Sequence, residues 1–240
     1  LKNLLEEAKT WDTYQSQENN YWFQNQDLVY EDEINIFQRC NENRPSAIRC
    51  LMLFPLNALV EDQKIRLRKL FTGPANEKLK KLINDNQIYF GSYTSKTPGS
   101  PNIYSYENER TFNSLKNQLN QNYEQYQDIK GYPGIGDDIY TVDSFEGGEM
   151  WSKPDMQYNP PDILISNYSM LNVMLSRDYE SNMLNQTKEW LEQDGNKFTL
   201  MLDELHSYRG TQGTEVSLLI KRFLNRIGAN KKGKLQIIAS

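Results

Sequence analysis

Two acids and the only histidine of the chain stand together in TLMLDELHSYRG, residues 199 to 210, as Asp203, Glu204 and His206. Adjacent carboxylates suit two jobs at once. One can hold a hydrated divalent cation through water, and the other can orient and polarise a water aimed at a phosphate. They follow the apolar run Phe198-Thr199-Leu200-Met201-Leu202, whose length and flanks predict a buried strand. The acids therefore leave the core where that strand ends, and ligands of open α/β sheets sit at this carboxyl end. An acid pair at a strand end can equally be a plain helix cap, and the stretch by itself leaves both roles open.

Two more strand-to-helix turns could meet an anion. In LMLFPLNALVEDQKIRLRKL, residues 51 to 70, Pro55 ends a strand and Asn57 is expected to cap the helix behind it. A helix start offers free N–H groups to a phosphate. The basic residues Lys64, Arg66, Arg68 and Lys69 are expected on a solvated face of that helix. In PPDILISNYSMLNVML, residues 160 to 175, Ser166-Asn167-Tyr168-Ser169 repeats the design. Taken singly, each is an ordinary βα turn.

The elements that must position these residues follow from patterning. Strands are predicted at 48 to 54, 87 to 92, 162 to 166, 198 to 202 and 234 to 240, with helices at 57 to 71 and about 213 to 227. Strands alternating with helical segments imply βαβ units and a parallel sheet, so the fold class is α/β. With 240 residues, 38% of them hydrophobic and 25% charged, the chain suffices for one such domain with an insertion. The insertion is expected at 93 to 161, which is rich in Asn, Gln, Tyr, Gly and Pro and carries the turn signals TPGSP, GYPGIG and EGGEM. Without steady periodicity, it reads as a surface excursion whose helical part lies at 104 to 127. Its tyrosines, among them Tyr104, Tyr106, Tyr123, Tyr126 and Tyr132, either stack on bases or pack locally. A second polar stretch, 12 to 46, is expected to decorate the sheet edge.

Composition excludes several classes. No apolar run approaches the roughly 18 residues that span a bilayer, and no secretory pattern opens the chain. Cys40 and Cys50 make neither a disulfide framework nor a metal-ligand set, which points to a reduced, cytoplasmic setting. A net charge of -5 argues against a generally basic nucleic-acid coat, while leaving room for a local basic groove. The first residues, LKNLLEEAKTWDTY, read as an uncapped helix and the last as a strand, so the chain is expected to be a piece of a longer protein.

Together the segments at 51 to 70, 160 to 175 and 200 to 228, the last reading LMLDELHSYRGTQGTEVSLLIKRFLNRIG, resemble the first RecA-like domain of superfamily 2 DEAD/DEAH-type helicases. More narrowly they are similar to the large bacterial DELH-motif helicases with RGTQGTEV after the acidic motif. The resemblance covers residues 51 to 240 apart from the insertion, and makes residues 1 to 240 a partial RecA-like (P-loop NTPase) domain. It implies ATP and Mg²⁺ as cofactors, with Asp203 holding the metal, Glu204 polarising the attacking water and His206 coupling the nucleotide site to a Ser-Ala-Thr-like motif of which Ala239 and Ser240 are present. It further implies that Pro55, Asn57 and Gln63, then Ser166, Asn167 and Tyr168, hold phosphates of one nucleic-acid strand, DNA before RNA. Thr94, in the stretch Gly91 to Ser95, matches a family turn that usually reads Thr-Gly, with Ser95 in place of the glycine. Backbone amides at such turns bind phosphate without reading bases.

One family part does not occur in these residues: there is no G-x-x-x-x-G-K-[ST] phosphate loop. The family places it directly before the helix equivalent to the opening one, and a second RecA-like domain with an arginine finger completes the ATPase. The reading is therefore the ATP-binding lobe of an ATP-dependent helicase or translocase, inactive as an isolated fragment. The alternative is a nucleic-acid-binding scaffold module whose ATPase has decayed.

Overall fold

The computed structural model describes residues 2–11, 21–24, 38–39, 44–102, 108–204 and 211–239, without the side chains of 211 and 212. Six strands form one all-parallel sheet: β1 Cys50–Phe54, β2 Phe90–Tyr93, β3 Glu149–Met150, β4 Ile163–Asn167, β5 Phe198–Leu202 and β6 Leu235–Ala239, in the order β3-β2-β4-β1-β5-β6. Around it lie the helices α1 Lys2–Ala8, α2 Asn57–Thr72, α3 Asn76–Leu82, α4 Glu109–Lys130, α5 Lys153–Tyr158, α6 Tyr168–Ser176, α7 Ser181–Glu192 and α8 Thr211–Arg226. No helix among the described residues is long and apolar enough to cross a membrane.

The central strand β1, Cys-Leu-Met-Leu-Phe, is apolar at every position because both faces of the sheet are covered. Leu51 and Leu53 point into a core shared with α6, α7 and α8, through residues such as Leu171, Trp190 and Phe223. Cys50, Met52 and Phe54 point the other way, against Val60, Leu67 and Phe71 of α2. Burial pushes the Cys50 thiol up to about 12, which suits an inert core residue. The predicted strand at 87 to 92 starts later, at Phe90, because the Tyr89 N–H is taken by the Asp162 carboxylate, at 2.8 Å, rather than by a neighbouring strand.

Two expectations are corrected. Residues 93 to 161 are not a surface excursion: Glu149 and Met150 pair with Phe90 and Gly91 as a sheet strand, and Met150 and Met156 are buried in the main core. A Cβ on Gly91 would stand 2.6 Å from the Met156 sulfur, so the glycine is what lets α5 approach β2. The segment also builds a core of its own, in which Phe112, Leu115, Leu119 and Tyr126 of α4 meet Phe145, Trp151 and the buried Trp22 and Phe23. Tyr126 thus packs locally and Tyr123 lies against the same cluster, while Tyr104 and Tyr106 fall outside the described residues. The second correction concerns the basic face of α2, where Lys64 and Arg68 are buried. Arg68 grips Glu149 of β3 through two bonds of 2.7 and 2.6 Å and Asp143 at 2.5 Å, and Lys64 reaches Asp143 at 3.0 Å. Periodicity missed this packing because it is made by polar groups that satisfy one another rather than by an apolar stripe.

Candidate functional site

The carboxyl ends of β4, β1 and β5 lie side by side. Phe54 is opposite Asn167 on one side, Leu53 is opposite Leu202 on the other, and the Asp203 N–H donates to the Leu53 carbonyl at 3.1 Å. At about 4.8 Å per strand, the Asn167 and Asp203 backbones emerge roughly 10 Å apart on one edge. Asp203 and Glu204 are both half-buried. Glu204 has φ of 54°, a left-handed conformation that non-glycine residues seldom adopt, so the chain turns sharply just after Asp203. Asp203 faces a cleft of about 160 Å³ whose other walls include Phe54, Gln63, Arg66 and Ile238. Gln63 is therefore grouped with the acid as well as with its own helix. Ala239 sits beside Leu202 at the end of β6, whereas His206 and Ser240 lie outside the described residues.

Among the described residues no three His, Cys, Asp or Glu side chains cluster as a metal cage. The carboxylates present suit a hard cation that keeps most of its ligands as water, the usual binding mode of Mg²⁺.

The two upstream turns meet through a direct contact. Asn167 caps α6 by accepting from the Met170 N–H at 2.7 Å, and its Nδ2 donates to Asn57 Oδ1 at 2.6 Å. Asn57 is consequently not the cap of α2: Leu56 holds that position and makes no side-chain bond to the helix. The amide of Asn57 is used across the sheet edge instead.

The remaining predicted contacts divide by burial. Ser166 is fully buried and its hydroxyl donates to the Tyr93 carbonyl at 2.6 Å, Thr94 is 1% exposed and accepts from the Lys96 N–H at 3.2 Å, and Tyr168 is 6% exposed. At these positions a strand could meet only the backbone or the rim of a side chain. Pro55 and Tyr168 line a cleft of about 550 Å³ between α6 and α8, with Ser169, Asn172, Glu215 and Arg222 as its polar groups.

Sequence reasoning missed the charge clusters that fix this frame. Asp162, at the opposite end of the sheet, accepts from Arg44 at 2.7 and 2.8 Å and from Arg49 at 2.9 Å. Burial raises its pKa, but the charges of Arg44, Arg39 and Arg49 outweigh that and hold it well below the usual carboxylate range. Beside β2, the Tyr93 hydroxyl donates to Glu180 at 2.7 Å, and Glu180 pairs with Arg177. A signal did exist for α2: Lys64 and Arg68 share the helical stripe of Val60, Leu67 and Phe71, so cations stand where apolar residues belong.

No family model matches the chain. It is 32% identical, over 229 residues, to the Druantia protein DruE of Escherichia coli (strain UMEA 4076-1), a match taking in 80% of this chain and 12% of that protein. The chain thus spans about an eighth of that relative's length. Among solved structures it is similar to the DUF1998 helicase MrfA, at 18% identity and a TM-score of 0.40 over 80% of this chain and 19% of that one. It is likewise similar to the Mycobacterium smegmatis helicase Lhr bound to ssDNA and AMP-PNP, at 17% identity and a TM-score of 0.42 over 82% and 20% of the two chains.

Proposed function

We propose that this chain is most of the first RecA-like lobe of an ATP-dependent nucleic-acid helicase or translocase, acting on DNA rather than RNA in the cytoplasm. A second RecA-like domain of the same protein completes the machine. The observation that carries this reading is the shared edge: the acid pair after β5 and the Asn57–Asn167 contact at the ends of β1 and β4 come out together, on adjacent parallel strands.

Bound ATP with Mg²⁺ supplies the phosphoryl group and the charge that neutralises its oxygens. Within this reading Asp203 holds the hydrated cation. Glu204 accepts a hydrogen bond from the attacking water and draws off its proton. His206 links this end of β5 to Ala239 and Ser240 after β6. Pro55, Asn57, Asn167 and the backbone at Thr94, Ser166 and Tyr168 hold the strand, with Gln63 between the two sites. β1, hydrogen-bonded to both β4 and β5, is the element that joins the acid pair to the asparagine pair in this reading.

Glu204→Gln in the full-length protein is the test. It keeps size and hydrogen bonding but removes the base, so ATP binding persists while turnover falls by roughly 10² to 10⁴. Asp203→Asn loses turnover and also weakens Mg-ATP affinity. Hydrolysis by the Glu204→Gln variant within a few-fold of the parent would remove the acids from the chemistry. A parent that binds strands but never hydrolyses ATP is the decayed scaffold instead.

A further inference from the structure

The loop after β2, residues 94 to 102, is fixed more firmly than a surface connection requires. The Thr94 N–H donates to Thr97 Oγ1 at 2.9 Å, and that hydroxyl donates to the Ser92 carbonyl at 2.6 Å. From α5, the buried Lys153 gives its ammonium to the carbonyls of Thr97 at 2.6 Å and Gly99 at 3.3 Å, and its own N–H to Pro98 at 2.9 Å. Buried Gln157 donates to the Pro101 carbonyl at 2.8 Å. Lys153 has no ion pair among the described residues, so a cation is taken out of water to pin this loop. Only Ser95 and Lys96, at the tip, remain exposed.

Facing the loop is α4. Arg110, Ser114, Gln118 and Asn122 recur every fourth residue and so share one stripe, roughly 18 Å long at 1.5 Å per residue. Loop and stripe enclose two clefts that share Gln118. One, of about 280 Å³, runs past Lys64, Lys96 and Asp143, and the other, of about 400 Å³, past Gly99, Ser100 and Arg110. The acids at the inner end are already matched, Asp143 by Lys64 and Arg68 and Glu61 by Lys64 at 3.5 Å. Lys96 and Arg110 have no carboxylate partner among the described residues. The groove therefore presents two cations that no described carboxylate compensates, among amides and hydroxyls and next to the Thr94 turn.

We propose that the groove between loop 94–102 and α4 binds the phosphodiester backbone of a single nucleic-acid strand, carrying the strand track beyond the sheet edge onto the segment 93 to 161. This rests on the proposed function. Lys96 and Arg110 contact phosphates, and Gln118, Asn122, Ser100 and Ser114 hydrogen-bond to the strand between them. Its rigid floor means that little loop entropy is lost on binding.

The experiment uses the full-length protein and a fluorescent single-stranded oligonucleotide over a salt series. Lys96 and Arg110 are exposed, so Lys96→Gln with Arg110→Gln keeps the parent's unfolding midpoint. Each phosphate contact accounts for about 0.7 of the slope of log affinity against log salt, so the double variant loses about 1.4 of that slope and at least about tenfold in affinity at low salt. Lys78→Gln with Lys81→Gln, exposed on α3, makes the same change of net charge and leaves the slope near the parent's. An unchanged slope in the first variant, or an equal loss in the second, overturns the groove while the asparagine pair stands. A parent that binds no strand overturns the groove together with the proposed function.

Discussion

Replacing Asn167 by alanine or by aspartate separates two jobs that one amide performs. Its oxygen caps α6 at Met170, and its Nδ2 bonds Asn57 at 2.6 Å, in a position only 8% exposed. Alanine removes both: about 1 kcal/mol for the cap and about 1 kcal/mol for a neutral hydrogen bond, together about 2 kcal/mol, or roughly 4 to 8 °C in Tm for a domain of this size. Aspartate keeps the cap, and its charge is favourable at a helix start. The Asn57 amide can turn about its last torsion and present Nδ2 to the new carboxylate. Asn167→Asp is thus expected to unfold within about 1 kcal/mol of the parent. Strand binding should respond in the opposite order, since a carboxylate about 5 Å from a phosphate costs roughly 1 to 3 kcal/mol for effective dielectrics of about 80 down to 20, or roughly 5- to 150-fold in affinity. Thermal unfolding and oligonucleotide anisotropy on the same preparations give both numbers. A folded Asn167→Asp protein that binds strands like the parent removes this turn from the track. An aspartate variant as unstable as the alanine one refutes the account of the amide. Changing both asparagines to aspartate is the poorer test, because it sets two carboxylates against each other at this contact.

Other outcomes follow from the buried charges. Asp162→Asn removes the buried carboxylate that Arg39, Arg44 and Arg49 share and should cost about 3 to 5 kcal/mol in urea unfolding; a loss under about 1 kcal/mol would mean the cluster is dispensable. Burial pushes Asp155 up to about 6, against hydrogen bonds from Ser152, Gln38 and Trp22, so its contribution to stability is complete below about pH 4 and is lost as the pH rises through 6. Comparing parent and Asp155→Asn between pH 4 and 7 should show a difference that changes by up to about 3 kcal/mol, and parallel profiles would contradict it. Asp162 has the opposite sign: its contribution is present above about pH 4 and is lost as the pH falls through its lowered native pKa. Exchanging residues 100 to 156 for a Gly-Ser linker should abolish cooperative unfolding, since it deletes Glu149, Met150 and Met156; a variant that still melts cooperatively would show that the sheet stands without them.

Local sequence settled the frame of the protein. The runs at 50 to 54 and 198 to 202 are legible because strands buried on both faces are mostly apolar, and Pro55, Asn167 and Asp203 mark where three of the strands end. Asp203 and Glu204 were visible as an acid pair at a strand tip for the same reason. What sequence could not supply was pairing at long range. That Asn57 spends its amide on Asn167, 110 residues away, rather than on its own helix depends on β1 and β4 lying adjacent and in register. Residues 93 to 161 looked dispensable because polar side chains carry no burial period. Only the tertiary structure brings Glu149 to Arg68 and Lys153 to the carbonyls of Thr97 and Gly99, where each buried polar group finds a partner. Apolar burial is a property of a residue and its neighbours in sequence, whereas the satisfaction of a buried charge is a property of what the fold places beside it.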